Sequence, residues 1–262
     1  MKEDLVSIIT PVFNSELHLK TCIQSIIKQK YKNWELIIVD DFSDDNSKSV
    51  IQYYSSKDKR ITPIFLEKNV GAGVARNLAI KKSKGRFIAF LDSDDYWSEL
   101  KLFKQINFML DRNIEFCFCS YFKLDNNDKP YVIITPPAKI GAKWLKFNNY
   151  IKTLTVIYDT RRIGKIYMSN ERKRQDWAMW LNLLEKTKYA YSQDEALAYY
   201  RTSNESLSKN KIKLLKANYN FYENYYKKGK SISFFYLVIF LLVHFFYKFF
   251  GKRKLIYDDE KK

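Results

Sequence analysis

Cysteine, histidine, glycine and proline are all scarce in this chain, at three, two, seven and five of 262 residues. Three cysteines give no disulfide framework. With only His18 and His244, and no second cysteine pair, a zinc ligand set cannot be assembled either. Cys117 and Cys119 stand two apart in an apolar run and point to one face of a strand, which reads as packed, reduced thiols of a cytosolic protein. No internal repeat or low-complexity linker is visible, and no secretory signal is expected, since the short apolar stretch after Met1 runs directly into a strand pattern. Acidic residues are also in deficit, 29 against 46 Lys and Arg, for a net charge of +17. Such a balance favours polyanions: phosphates, nucleic acid or an anionic membrane.

Strand and helix patterns alternate through the first half. Residues 6–10, 35–40, 62–66 and 87–91 are short, mostly apolar stretches that read as buried strands. Between them, 17–28, the segment after Ser43-Asp-Asp-Asn-Ser47, and 71–83 carry helical spacing or helix-start residues. This rhythm predicts an α/β fold with a mainly parallel sheet and helices on both faces. In such sheets ligands bind beyond the carboxyl ends of the strands. Thr10-Pro11, Asp40-Asp41 and Asp92-Ser93-Asp94-Asp95 occupy those ends. The second half is less regular. Strands are expected over 116–122, 131–135 and 153–158, an amphipathic helix over 176–184, and a basic, tyrosine-rich helix over 209–226.

Three carboxylates within Asp92–Asp95 repel one another unless a positive group joins them. Mg²⁺ or Mn²⁺ suits such oxygens and completes its shell with water and phosphate. A solvated acidic turn capping the next helix is the competing reading. Asp40-Asp41 likewise suits either a cap or an acceptor for a nucleobase N–H. Gly71-Ala-Gly73-Val-Ala-Arg76 opens a helix whose N-terminus favours anions, and Arg76 could reach a phosphate. It is not a Walker loop, since no Gly-Lys-Ser/Thr follows. Asp176 is a helix cap or a general base, and Arg201 a diphosphate clamp or an incidental surface residue.

Four segments carry a resemblance: Val6-Ser-Ile-Ile-Thr-Pro-Val-Phe-Asn14, Ile38-Val-Asp-Asp41, Gly73-Val-Ala-Arg-Asn77 and Phe90-Leu-Asp-Ser-Asp-Asp95. In order and spacing they resemble family-2 glycosyltransferases of the bacterial surface-polysaccharide type, with the GT-A (Rossmann-like) fold. The resemblance is dense over 5–97, thins towards Asp176 and Arg201, and does not reach 231–262. It implies a UDP-sugar donor whose nucleotide is held by Thr10, Pro11, Asp41, Arg76, Asp92, Ser93 and Asp94. It also implies metal contacts from Asp94 and Asp95, a catalytic base at Asp176, and a diphosphate contact from Arg201 and the loop after it. Inversion by single displacement is the family's usual chemistry. Two departures stand out: Phe42 where glycine is frequent, and Gln175 where glutamate is frequent. The resemblance divides the chain into a GT-A domain over 1–205, with a nucleotide-binding half (1–97) and an acceptor half (98–205), and a basic, apolar segment over 206–262.

That last segment carries an almost wholly apolar run of 16 residues over 232–247, flanked by lysines on both sides. It falls short of the ~20 residues that span a bilayer. A C-terminal helical, membrane-associating tail is therefore expected, peripheral or monotopic, with an anionic membrane surface engaged through 207–254. Spanning the membrane, or burial in the core or a homo-oligomer, are the other uses of such a run. The expected setting is the cytoplasmic face of the cell membrane, with a glycan or polyprenyl-linked acceptor. Nucleic acid would explain the charge but not the apolar run. A nucleotidyltransferase, or a non-catalytic nucleotide-sugar or lipid-binding protein, are the alternatives.

Overall fold

The strand–helix alternation read from the first half is the framework of the molecule. The computed structural model describes residues 3–169, 173–202, 211–227, 229–251 and 253–256. In chain order, β1 (Val6–Val12), α1 (Glu16–Ile27), β2 (Trp34–Asp40), α2 (Ser47–Lys57), β3 (Ile61–Phe65), α3 (Ala72–Lys82) and β4 (Phe87–Phe90) form the nucleotide-type half. β1 lies between β2 and β4, and β3 lies outside β2, all parallel. Alternate side chains serve opposite faces. Ile8, Leu36 and Ala89 join α1 and α2 in one core cluster. Ile9, Ile37 and Phe90 join α3 in another.

The rest of the sheet is mixed. β5 (Tyr96–Trp97) and α4 (Lys101–Asp111) lead to β6 (Phe116–Leu124), β7 (Pro130–Ile134), β8 (Lys139–Ile140) and α5 (Ala142–Leu145). β9 (Ile157–Asp159), α6 (Thr160–Ile163), α7 (Gln175–Lys186) and β10 (Ala190–Arg201) complete the body. β9 runs antiparallel to β4 and β6, so the parallel order stops at β4. The strand expected over 153–158 is split, because Thr153–Thr155 is a single 3₁₀ turn before β9. β10 has twelve residues, with register shifts near Ala196, and its end brings Arg201 to the acidic turn. Cys22, Cys117 and Cys119 are free and buried, as the packed-thiol reading requires.

Beyond the body come α8 (Lys211–Tyr226), α9 (Lys230–Phe250) and β11 (Arg253–Leu255). They are packed on rather than appended. Phe221, Tyr222 and Phe240 share a buried cluster with Trp177 of α7. Trp177 stacks on Phe221 at 4.4 Å between ring centres. β11 adds an antiparallel strand to β7. Residues 203–206, and Lys209, Lys228 and Lys252 of the basic flanks, lie outside the described residues.

Candidate active site

A cleft of about 650 Å³ opens at the carboxyl ends of β1, β2 and β4. β1 delivers Pro11 and the Phe13–Ser15 turn, where Asn14 adopts φ 47°. The Asp41 amide donates to the Val12 carbonyl at 2.7 Å, which joins the two strand ends. Asp41 itself is buried, and its two carboxylate oxygens accept the Val70 and Gly71 amides, each at 2.7 Å. It therefore anchors the loop before α3. Gly71 makes that loop feasible, with φ +90°. Asp40 closes its own turn by accepting from the amide and hydroxyl of Ser43. Phe42 between them stands at φ 66°, the left-handed conformation that glycine adopts without strain.

The three carboxylates of the acidic turn separate. Asp92 pairs with the Arg76 guanidinium. The Arg76 Nε is buried and has no hydrogen-bond partner among the described residues. Ser93 shares a hydrogen bond of 2.7 Å with Ser15. Asp94 lines the cleft, and its carboxyl is pushed up to about 6 by burial and then by the Asp92 charge. Asp95 is only 1% exposed and accepts the Arg201 amide at 2.9 Å. Burial and its two acidic neighbours hold its carboxyl well above the usual range. Arg201 is also committed: it forks onto Asp128 and donates to the Asp94 carbonyl at 2.6 Å.

The acceptor half meets this cleft through α3. A Cβ on Gly73 would lie 2.2 Å from the Gln175 Oε1, so the first turn of α7 rests on the first turn of α3. Asp176 follows, and its Oδ2 accepts from Asn149 Nδ2 at 3.0 Å. Lys152, nearby on the same segment as Asn149, lies 4.5 Å from the Tyr200 ring centre. Burial opposes its charge, but Tyr200, Tyr121, Asp176 and Asp95 outweigh that and raise its pKa. Carboxyl groups from the two halves thus lie near one lysine.

The family model described as Glycosyl transferase family 2 matches residues 7–161. TuaG of Bacillus subtilis (strain 168), named for teichuronic acid biosynthesis, is 42% identical over 83% of this chain and 87% of its own. The Escherichia coli UDP-Glc:alpha-D-GlcNAc-diphosphoundecaprenol beta-1,3-glucosyltransferase WfgD is 38% identical over 84% and 86%. The chain is a family-2 glycosyltransferase. Its fold also matches S. aureus TarS 1-349 in complex with UDP-GlcNAc, with a TM-score of 0.70 at 19% identity over 94% of this chain and 76% of that one.

In this glycosyltransferase Pro11, Asp41, Arg76, Asp92, Ser93 and Asp94 line a single cleft. Thr10 lies behind it, fully buried, its hydroxyl without a partner among the described residues. Asp95, expected as a metal contact, is buried and its Oδ1 accepts the Arg201 amide. The loop expected to close after Arg201 falls outside the described residues. Sequence reasoning missed His18, Asp128, Asn149 and Lys152. His18 lines the cleft, and burial followed by the Arg201 charge lowers its pKa. Its rarity was the one signal available. Asp128 lies in a polar Asp125–Asp128 stretch, and no motif marks it or the 149–152 stretch.

Proposed function

We propose that this enzyme transfers a sugar from a UDP-linked donor to a polyprenyl-diphosphate-linked glycan, with inversion, in cell-surface polysaccharide synthesis at the cytoplasmic face of the membrane. The observation that carries the donor side is the cleft shared by Arg76, Asp92 and Asp94 at three strand ends. The Nε of Arg76, without a partner among the described residues, gives a phosphate oxygen a donor to bind. WfgD, by its name, uses UDP-glucose and a diphosphoundecaprenol acceptor. The exposed apolar edge of α9 supports a membrane setting, as does its length and composition.

Among the described residues no three His, Cys, Asp or Glu side chains converge on a metal geometry. Mg²⁺ needs fewer, since it is held by one or two carboxylates plus substrate phosphates. Asp94 and Asp92, which line the cleft together, fit that donor set. Bound Mn²⁺ or Mg²⁺ would neutralise the departing diphosphate. The chain's own residues do the rest. Asp176 takes the proton of the acceptor hydroxyl as that oxygen bonds to the anomeric carbon. The bond from that carbon to the diphosphate breaks, and its electron pair leaves with UDP. Asn149 fixes the Asp176 carboxylate for this step, and Lys152 keeps a positive charge near it.

The test is UDP release and product formation with UDP-sugars and a GlcNAc-diphospholipid, with Mn²⁺ or Mg²⁺. Asp176→Asn should lower kcat by about 10²–10⁴-fold, with UDP affinity within about twofold. Undiminished transfer by that variant would place the base elsewhere.

A further inference from the structure

α9 has twenty-one residues, about 31 Å at 1.5 Å per residue, so its length matches a bilayer core. Its contacts favour a different use. One edge is docked along the body. Tyr236 meets Phe147 edge-on at 5.9 Å, Phe240 packs on Trp177 at 5.6 Å, and Tyr247 meets Tyr150 at 4.8 Å. His244 Nδ1 lies 3.1 Å from Asn148 Oδ1. Positions 236, 240, 244 and 247 recur at helical spacing, so the contact runs the length of one edge.

The chain then returns to the catalytic sheet. Lys254 pairs with Ile133 of β7, and the Ile256 amide donates to the Tyr131 carbonyl at 3.0 Å. A helix crossing the bilayer would put β11 and β7 on opposite sides of a hydrocarbon core about 30 Å thick. The opposite edge carries Phe234, Phe235, Leu242 and Phe246, each 56–61% exposed. Lys230 and Lys254 flank it, and Lys143 and the exposed Trp144 of α5 precede Phe147. A second copy would bring the same net charge of +17 to this edge. An anionic leaflet brings the complementary one, and aromatic and lysine side chains suit its interface.

We infer that α9 is an in-plane membrane anchor. Its outer edge sinks into the headgroup–acyl boundary of an anionic leaflet, and both of its ends stay on the side of the catalytic domain. The docked edge holds Asn148 and Tyr150, and Asn149 between them holds Asp176. The acceptor base on α7 is therefore hydrogen-bonded to the segment that rests on the anchor. This consequence relies on the proposed transfer to a lipid-borne acceptor; the anchor itself does not.

The full chain carrying Lys230→Cys or Lys254→Cys tests the anchor, because the three native cysteines are buried and stay silent. Bound to sealed phosphatidylglycerol–phosphatidylcholine vesicles, each variant meets a membrane-impermeant maleimide from outside. Complete labelling at both positions is expected. Protection of one end on the same vesicles would mean a spanning helix and overturn the inference. A second variant, Phe235→Glu with Leu242→Glu, should weaken vesicle binding at least tenfold, with UDP release on a soluble acceptor within twofold. If the unmodified chain ignores vesicles and forms a dimer that this variant dissociates, the occupant is a second copy and the anchor is wrong. Vesicle binding with both ends labelled but no UDP release would instead sink the proposed reaction and leave the anchor standing.

Discussion

Asp94 carries its charge against its surroundings. Burial and the neighbouring Asp92 raise its carboxyl to about 6, above the ordinary carboxylate range. The folded state therefore holds that proton more tightly than the unfolded one. Ionisation costs stability as pH rises from about 4 towards 6, and the full cost is present above 6. Cation-assisted donor binding needs the ionised form. UDP affinity with subsaturating Mn²⁺ should fall about tenfold between pH 7.5 and pH 5, measured by calorimetry, and Asp94→Asn should remove that slope. A flat profile in the unmodified chain would take Asp94 out of the site. Lys101 titrates in the opposite sense. It is fully buried over the Trp97 ring at 4.0 Å, its ammonium lacks a hydrogen-bond partner among the described residues, and burial lowers it to about 8. The folded state sheds this proton earlier than the unfolded state, so the cost is complete below pH 8 and fades as pH rises towards 10. Lys101→Met should stabilise the chain by about 2–3 kcal/mol at pH 7 in urea unfolding, and by less at pH 9.5. The resemblance names Asp94 as a site residue, but neither its raised carboxyl nor the burial of Lys101 was legible in advance. The run Asp92–Asp95 marks a site by its spacing, but side-chain directions within a turn do not follow from spacing. Only the fold shows that Asp92 goes to Arg76, Asp94 to the cleft and Asp95 inward. A lysine at a helix start reads as solvated, and Lys101 is not.

At the scale of elements, legibility follows burial. β1, β2 and β4 are covered on both faces, so each reads as a mostly apolar run, and their polar ends could be placed on one rim from the sequence. The second half mixes short antiparallel strands with a 3₁₀ turn, and pairings such as β10 with β6 join residues far apart in the chain. No local pattern encodes those. The same holds for the contact of α3 with α7. Gly73 reads as a helix-start glycine that could approach a phosphate, whereas the space its missing Cβ leaves is filled by the Gln175 amide. A methyl group there must displace the far end of a flexible side chain, so Gly73→Ala should cost no more than about 1 kcal/mol of stability. Its effect should fall on turnover, because the turn that carries Asp176 loses its seat on α3. We expect kcat to fall several-fold with UDP affinity nearly unchanged. Gln175→Ala should cause a similar loss. The double variant should be no worse than either alone, which a double-mutant cycle on kcat would read as coupling. Additive losses would show that the two positions act separately.

The whole molecule joins a polar cleft at the strand ends to a helix with an exposed apolar edge, on a chain of strongly basic net charge. Its net charge of +17 pulls it towards anionic surfaces at long range, and the outer edge of α9 acts only on contact. Salt separates these two contributions. Raising ionic strength from about 0.1 M to 1 M shortens the screening length from about 10 Å to about 3 Å, which removes most of the long-range attraction. Each lysine held near an anionic leaflet contributes about 1 kcal/mol, so several of them account for orders of magnitude in affinity. Apolar burial does not weaken with salt in this way. Affinity for phosphatidylglycerol-containing vesicles should therefore drop at least tenfold over that range and then level off at a residual value. Vesicles of phosphatidylcholine alone should reach the same residual value at low salt. Phe235→Glu with Leu242→Glu should remove the residual and leave the salt-sensitive part largely in place. Binding that salt alone abolishes would mean that the apolar edge of α9 stays out of the lipid, and that charge only gathers the enzyme at the surface.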